Sequence, residues 1–155
     1  MGRIYKSVDI LVKKLETERN GKKIVFTNGC FDIIHPGHIH ILREASKKGD
    51  ILIVGINTDD SVKKIKGPAR PVFNENARAE TVSSMEMVDY VLMFSEETPY
   101  RIIKKIKPDV LVKGSQYSEK EIVGEDIAKE TVRVKMMPGY STSDIINKIQ
   151  NIKNV

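Results

Sequence analysis

The chain has 155 residues, of which 40% are hydrophobic and 30% charged, and it carries a formal net charge of +5. This length suits one domain with a core of its own, and the composition is typical of a soluble globular protein. No apolar run approaches the roughly 20 residues of a membrane helix, and the first residues lack the apolar stretch of a signal peptide. We therefore expect one cytoplasmic domain, 1–155, with a leading helix in 1–21 and a core in 22–150.

The single cysteine and the positive net charge limit the kinds of function that the chain can have. Cys30 is the only cysteine, which excludes an internal disulfide and a cysteine metal cluster. It is either a small buried hydrophobe or a nucleophile served by His35 or His38. The positive charge indicates either a solvated lysine-rich surface or attraction of phosphorylated ligands. Because the lysines are scattered and no aromatic residues interleave with them, we do not expect nucleic acid as a partner.

Apolar runs and helical spacings alternate along the chain. Helices are predicted at 7–19, 39–48, 75–87, 99–106 and 143–149. Strands are predicted at 23–27, 51–56, 90–94 and 110–112, with an alternating edge strand at 132–136. Continuous apolar runs indicate strands covered on both faces, and their alternation with helices indicates βαβ units. The pattern predicts an α/β fold with a Rossmann-like, doubly wound parallel sheet, in which ligands bind at the carboxyl ends of strands.

The segment after the first long strand carries the chemistry. Residues 27–38 read Thr-Asn-Gly-Cys-Phe-Asp-Ile-Ile-His-Pro-Gly-His. Pro36 suits a first helical turn, and a helix N-terminus here would present backbone N–H groups and a positive dipole end to an anion. Gly29 and Gly37 would let a phosphate approach the backbone, and His35 and His38 would add donors to it. Two histidines three apart also suit a metal, but no third residue has the spacing to complete a zinc site, so we predict no metal ligand.

This segment resembles the Gly-x-Phe-Asp-x-x-His-x-Gly-His signature of the cytidylyltransferase-like nucleotidyltransferase superfamily. One branch is similar along nearly the whole chain: the adenylyltransferases that make ADP-heptose from D-glycero-β-D-manno-heptose 1-phosphate. The shared stretches are 27–38, 61–68, Arg70-Pro71, Arg78, Val88-Asp89, Thr98-Pro99, 108–114, 122–124 and 139–142. This domain is often fused behind a sugar kinase, and we expect the stand-alone form here.

The resemblance implies a function and a set of site residues. The implied reaction transfers AMP from ATP to a sugar 1-phosphate, most closely heptose 1-phosphate, and releases pyrophosphate. The implied catalytic residues are His35, His38, Lys66 and Arg78, with Arg78 on the sugar phosphate or the pyrophosphate. The implied nucleotide-binding residues are Gly29, Cys30, Phe31, Asp32, Gly37, Lys113, Gly114, Tyr140, Ser141, Thr142 and Ser143. Mg²⁺ would arrive with ATP, with Asp32 as an indirect contact rather than a ligand, and the chain would form a homodimer.

The start of the last predicted helix permits two interpretations. Ser141 and Asp144 have the spacing of a capping box, in which a hydroxyl and an acid three residues later satisfy the first turn. The same N-terminus is a second candidate phosphate site. Both interpretations remain open from the residues alone.

Several residues differ from the pattern of the heptose branch, and these differences define the alternative functions. Gln116 and Pro138 stand where the branch usually has acids. The main alternative is a CTP-dependent cytidylyltransferase acting on glycerol 3-phosphate or a related polyol phosphate, but that branch has an arginine where this chain has Met136. A non-catalytic nucleotide sensor is disfavoured because both His35 and His38 are present. A fragment of a tRNA synthetase is disfavoured because no lysine-rich second signature occurs.

Overall fold

The computed structural model describes residues 1–115 and 121–152, in which strands and helices alternate. The strands are β1 (Arg3–Tyr5), β2 (Ile24–Gly29), β3 (Ile51–Asn57), β4 (Tyr90–Phe94), β5 (Val110–Gly114) and β6 (Glu130–Val134). The helices are α1 (Val8–Glu18), α2 (Pro36–Ser46), α3 (Asp59–Lys66), α4 (Glu75–Ser83), α5 (Tyr100–Ile106) and α6 (Thr142–Ile152).

The strands form one parallel sheet in the order β1-β4-β3-β2-β5-β6. From β2 the chain moves outward through β3 to β4, and it then returns to place β5 on the other side of β2. This is the doubly wound, Rossmann-like arrangement that the sequence predicts, and that prediction is confirmed. The order reverses between β2 and β5, so Gly29 and Gly114 border the crevice where ligands bind in such sheets.

Helices cover both faces of the sheet. On one face α1 and α5 pack around Phe26 and Ile53. On the other face α2 and α4 pack around Val25 and Val54. Every residue of β3 is buried, which accounts for its continuous apolar run. In residues 1–115 and 121–152, no helix combines the length and the apolarity that crossing a bilayer requires.

Two elements were not predicted, and several boundaries differ. β1 has three residues and α3 has the polar sequence DDSVKKIK, so neither carries a clear apolar period. α4 ends at Ser83, four residues before the predicted end. There the hydroxyls of Ser83 and Ser84 both donate to the Glu80 carbonyl, and such local bonds compete with helix continuation. β6 begins and ends two residues before the predicted strand.

Asp109 joins the amino ends of the neighbouring strands β2 and β5. Its carboxylate accepts a hydrogen bond from the Ile24 N–H at 2.8 Å and another from Lys129 Nζ at 2.7 Å. The backbone N–H of Asp109 in turn donates to the Ile24 carbonyl at 2.9 Å. Asp109 thus fixes β5 against β2 at the end of the sheet opposite the crevice.

Candidate active site

His35 and His38 form a stacked pair at the N-terminus of α2. Their ring centroids are 3.8 Å apart and the ring planes differ by 25°. His35 is the N-cap of α2, with extended backbone, and its carbonyl accepts the His38 N–H at 3.0 Å. In both rings Nδ1 is buried without a hydrogen-bond partner among the described residues. Since buried polar atoms normally have partners, the pair is suited to receive a polar ligand.

The pair is uncharged at neutral pH. Burial lowers the pKa of His35 below its ordinary value of 6.5. Burial, and then the neighbouring His35, lower the pKa of His38 to about 4. Each imidazole is therefore neutral at pH 7, with one N–H donor and one acceptor nitrogen. A backbone hydrogen bond with Ile33 acts on the His38 pKa in the opposite direction, with smaller effect than burial.

Phe31 connects this pair to the loop that follows β2. Its ring lies 5.2 Å from that of His38, centroid to centroid. Phe31 has φ of 48°, in the left-handed region, which costs a non-glycine residue roughly 1–2 kcal/mol. Strain of this kind persists only where neighbouring contacts hold it, and it concentrates at functional sites.

Asp32 holds the loop that precedes α4. Its carboxylate accepts hydrogen bonds from the backbone N–H groups of Val72 and Phe73, at 2.8 and 2.9 Å, and from Arg70 Nε at 2.7 Å. The side chain of Asp32 is 0% exposed. Burial alone raises the pKa of Asp32, but the bonds from Phe73, Val72 and Arg70 outweigh it and hold the pKa below its ordinary value.

Arg78 is buried in the same region, with 1% of its surface exposed. Its Nε donates to the Phe73 carbonyl at 3.0 Å, one terminal nitrogen to the Cys30 carbonyl at 2.6 Å, and the other to Asp59 Oδ1 at 2.8 Å. Each guanidinium nitrogen thus bonds to a protein acceptor. Contact of Arg78 with the acceptor phosphate or pyrophosphate stays a prediction, because every partner described for its side chain belongs to the protein.

Lys113 lies at the switch point, where β5 adjoins β2. Its ammonium donates a hydrogen bond to Asn28 Oδ1, and burial lowers its pKa to about 8. In residues 1–115 and 121–152, no carboxylate is within ion-pair distance of it. A cavity of about 340 Å³ opens beside Lys113, and its other lining residues are Pro99, Gly114, Glu121, Ile122, Val123 and Arg133.

Cys30 lies within reach of several cations. Burial raises the pKa of its thiol, while the positive charges of Lys66, Arg78 and Arg70 act in the opposite direction with smaller effect. The thiol is therefore protonated at pH 7, which favours a packing role over that of a nucleophile. Lys66 is exposed at the last residue of α3, close enough for its charge to act on Cys30.

The segment before α6 meets the start of α2. A Cβ on Gly37 would lie 3.3 Å from the Tyr140 carbonyl oxygen and 2.9 Å from the His35 ring, so only glycine fits this contact. Ser141 Oγ accepts the Asp144 N–H at 3.0 Å and donates to the Asp144 carboxylate at 2.7 Å. The capping interpretation is therefore observed, and phosphate binding by 141–143 remains a prediction.

Gly114 is packed between two side chains at the end of β5. The position of its missing Cβ is occupied by the Met136 sulfur, with Ile41 of α2 also in contact. Met136 is thus placed against the floor of the crevice, between β5 and α2. Gln116, the departure from the family pattern, lies outside the described residues.

A cytidylyltransferase-like family model matches residues 26–148, a range that contains the histidine pair, Asp32, Arg78 and Lys113. The chain belongs to the cytidylyltransferase-like family. The crystal structure of the lipopolysaccharide core biosynthesis protein from Thermoplasma volcanium GSS1 is 32% identical, with a TM-score of 0.64 over 76% of this chain and 99% of that one.

Longer relatives share the cytidylyltransferase-like sequence. Bifunctional protein HldE of Helicobacter pylori (strain J99) is 52% identical over 145 residues, and that of Aliarcobacter butzleri (strain RM4018) is 53% identical over 146 residues. These alignments cover 93% and 94% of this chain but only 31% and 30% of the relatives, so the chain spans less than a third of their length. The pantoate-β-alanine ligase of Francisella tularensis, at 14% identity and a TM-score of 0.66, shares the fold.

The structure brings most of the predicted site residues to one edge of the sheet, and it adds others. His35, His38, Phe31 and Gly37 lie together at the start of α2, and Tyr140 reaches them. The residues that support the site, none of them predicted as a site residue, are Asn28, Asp59, Arg70 and Phe73. Sequence signals existed for Asn28 and Arg70, which fall in stretches shared with the family, but not for Asp59 or Phe73.

Proposed function

We propose that this cytidylyltransferase-like protein transfers AMP from ATP to a sugar 1-phosphate, giving an ADP-sugar and pyrophosphate. The observation that carries the proposal is the stacked His35–His38 pair, with unpartnered buried nitrogens, at a helix N-terminus beside the switch point. Helix N-termini attract phosphates, and the N–H of a neutral imidazole can donate a hydrogen bond to a phosphate oxygen.

The transfer needs no general base. An oxygen of the sugar phosphate, already mostly dianionic at pH 7, attacks the α-phosphorus of ATP. A new P–O bond forms there, the bond between the α-phosphorus and the bridging oxygen breaks, and pyrophosphate leaves with that oxygen. No proton has to move, so the protein's task is to align two polyanions and to stabilise the charge that develops.

The described charges suit that task. His35 and His38 would donate to oxygens of the transferring phosphoryl group, and Lys66 would bind nucleotide or sugar phosphate from the end of α3. Lys113, which has an amide rather than a carboxylate as its described partner, would pair with a ligand phosphate. The cavity beside Lys113 offers room for the acceptor, and Arg133 on its wall adds a second cation.

Mg²⁺ would enter as part of the ATP substrate. A triphosphate supplies most ligands of a bound Mg²⁺, and water supplies others. Among residues 1–115 and 121–152, no cluster of three or more histidine, cysteine or acidic side chains has the geometry of a metal site. The Asp32 carboxylate already accepts three protein donors, so we assign it no direct bond to the ion.

Heptose 1-phosphate is the acceptor we propose. The resemblance to heptose 1-phosphate adenylyltransferases extends over nearly the whole chain, and the HldE proteins are about half identical to it. Met136 in place of an arginine supports ATP over CTP. The apolar thioether at the crevice floor can pack against a purine ring, but it cannot donate hydrogen bonds to the polar edge of a base as an arginine can. A cytoplasmic location and a homodimer follow from the same resemblance as further proposals.

The test is pyrophosphate release in the presence of Mg²⁺, with ATP, CTP, GTP and UTP each combined with heptose 1-phosphate and glycerol 3-phosphate. We expect release with ATP and heptose 1-phosphate, and at least tenfold less with any other pair. Release with CTP and glycerol 3-phosphate instead would assign the chain to the polyol branch. No release from any pair, together with tight nucleotide binding, would contradict transfer and favour a nucleotide sensor.

A further inference from the structure

We propose that Asp32 and Arg78 are positioning residues, which hold Phe31 in its left-handed conformation and thereby set the geometry of the histidine pair. The inference rests on the proposed function of that pair. It also assigns Arg78 a role through the protein backbone rather than through substrate.

The charges form one connected group around a single residue, which we call the Phe73 network: Asp32, Asp59, Arg70, Arg78 and the backbone of Phe73. The Phe73 N–H donates to Asp32 and its carbonyl accepts from Arg78, so the two ion pairs Asp32–Arg70 and Arg78–Asp59 share this residue. The side chains of Asp32 and Arg78 are both 0% exposed. Buried groups with this many bonds have little freedom to move.

The Phe73 network holds the chain on both sides of Phe31. Arg78 binds the carbonyl of Cys30, which belongs to the peptide group immediately before Phe31. Asp32, the residue immediately after Phe31, is bound by Arg70 and by two backbone N–H groups. The left-handed φ of 48° at Phe31 therefore lies between two anchored positions, which supply the restraint that such a conformation needs.

The backbone at Phe31 determines where its ring lies. The ring contacts His38 at 5.2 Å between centroids, and His38 stacks on His35 at 3.8 Å. If Phe31 relaxed to an ordinary negative φ, its ring would leave this position, and the face of His38 that it covers would be open to water. The network would thus act on the histidines without touching a ligand, at a site where an error of about 1 Å lowers the rate up to 10²-fold.

The imidazole NMR spectrum of the full chain measures this effect directly. The chain has three histidines, so His40 serves as an internal reference for His35 and His38. For Asp32→Asn we expect the His35 and His38 ring signals to move as stacking is lost, and the pKa of His38 to rise from about 4 toward 6.5. Loss of the Asp32 charge alone would lower this pKa, so a rise reports the change in ring position rather than the missing charge. We expect the His40 signals to stay in place. In the transfer assay, kcat should fall about 10- to 100-fold while KM for ATP changes less than threefold.

Two further variants separate positioning from general loss of stability. Asp109→Asn is the matched control, because Asp109 is another buried carboxylate that accepts a backbone N–H, at the far end of the sheet. It should lower the unfolding temperature while leaving the His35 and His38 signals unchanged. Should Asp32→Asn not fold, Arg70→Gln, whose side chain is 15% exposed, is the milder change and should move the same signals less far.

Folded Asp32→Asn or Arg70→Gln protein with wild-type His35 and His38 signals would overturn the inference. Equal movement of these signals in Asp109→Asn would also overturn it, since the effect would then be a general one. The spectrum does not depend on turnover. If the wild-type protein transferred no nucleotide, the proposed function would be contradicted. Shifted His35 and His38 signals in the variants would still support the positioning role.

Discussion

His38 gives a pH dependence of stability at the scale of a single residue. Its pKa is about 4 in the folded protein against an ordinary value of 6.5, so the unfolded chain binds this proton more readily. Stability is therefore retained above pH 6.5 and lost as the pH falls toward 4, by on the order of 2–3 kcal/mol. His35, whose pKa is also lowered, acts in the same direction.

Urea unfolding at pH 7 and pH 4.5 checks this expectation. The free energy of unfolding of wild-type protein should fall between the two, and it should fall clearly less in His38→Gln. Asp32, whose pKa is lowered, affects stability only below about its ordinary pKa of 3.8, so it does not obscure the comparison of pH 7 with pH 4.5. An equal fall in both proteins would contradict the burial of a neutral His38.

At this scale the sequence indicated which residues belong to the site, but not what surrounds their side chains. The spacing of His35 and His38 around Pro36 and Gly37 indicated a phosphate site, and the structure brings the two rings together. Contact of Arg78 with the sugar phosphate or the pyrophosphate stays a prediction, but its burial against Cys30, Phe73 and Asp59 was not predicted. An arginine is usually exposed, and its burial depends on acceptors that the sequence places 5 to 48 positions away.

At the scale of elements, α6 depends on its N-terminal cap. No residue of α6 is buried, so packing contributes little to holding its first turn, and the Ser141 hydroxyl that binds the Asp144 N–H is correspondingly important. Replacing a serine cap by alanine costs about 1 kcal/mol, whereas glycine costs only a few tenths.

Hydrogen exchange of the Ile145 and Ile146 amides measures the cap, because α6 can open without global unfolding. Ser141→Ala should speed their exchange by about fivefold, which is the equivalent of 1 kcal/mol, and Ser141→Gly by less than twofold. Equal exchange in both variants and wild-type protein would show that the cap does not hold the helix.

Elements with a strong apolar period were predictable and short polar ones were not. β3 and β4 were predicted to within a residue, because every position in them is buried. β1 and α3 were missed, although β1 pairs with β4 and α3 carries Lys66 at its end. Their stability comes from tertiary contacts, which leave no local pattern in three or eight residues.

At the scale of the whole molecule, the topology determines which residues meet. The alternation of strands and helices predicted a doubly wound sheet, and from this the position of the site at the carboxyl ends of the strands. It did not predict that Asn28 and Lys113, 85 positions apart, would bond across the switch point. That pairing follows from strand order and register, which a continuous apolar run, unlike an alternating one, does not specify.

The central claim is that the His35–His38 pair stabilises charge during nucleotidyl transfer. The most direct test is kcat for pyrophosphate release by His38→Ala, with ATP and heptose 1-phosphate, alongside a direct measurement of ATP binding and a circular dichroism spectrum. We expect kcat to fall roughly 10²–10³-fold, the effect of losing one preorganised donor, with ATP affinity within about fivefold and an unchanged spectrum. Turnover at the wild-type rate would contradict the role of the histidine pair.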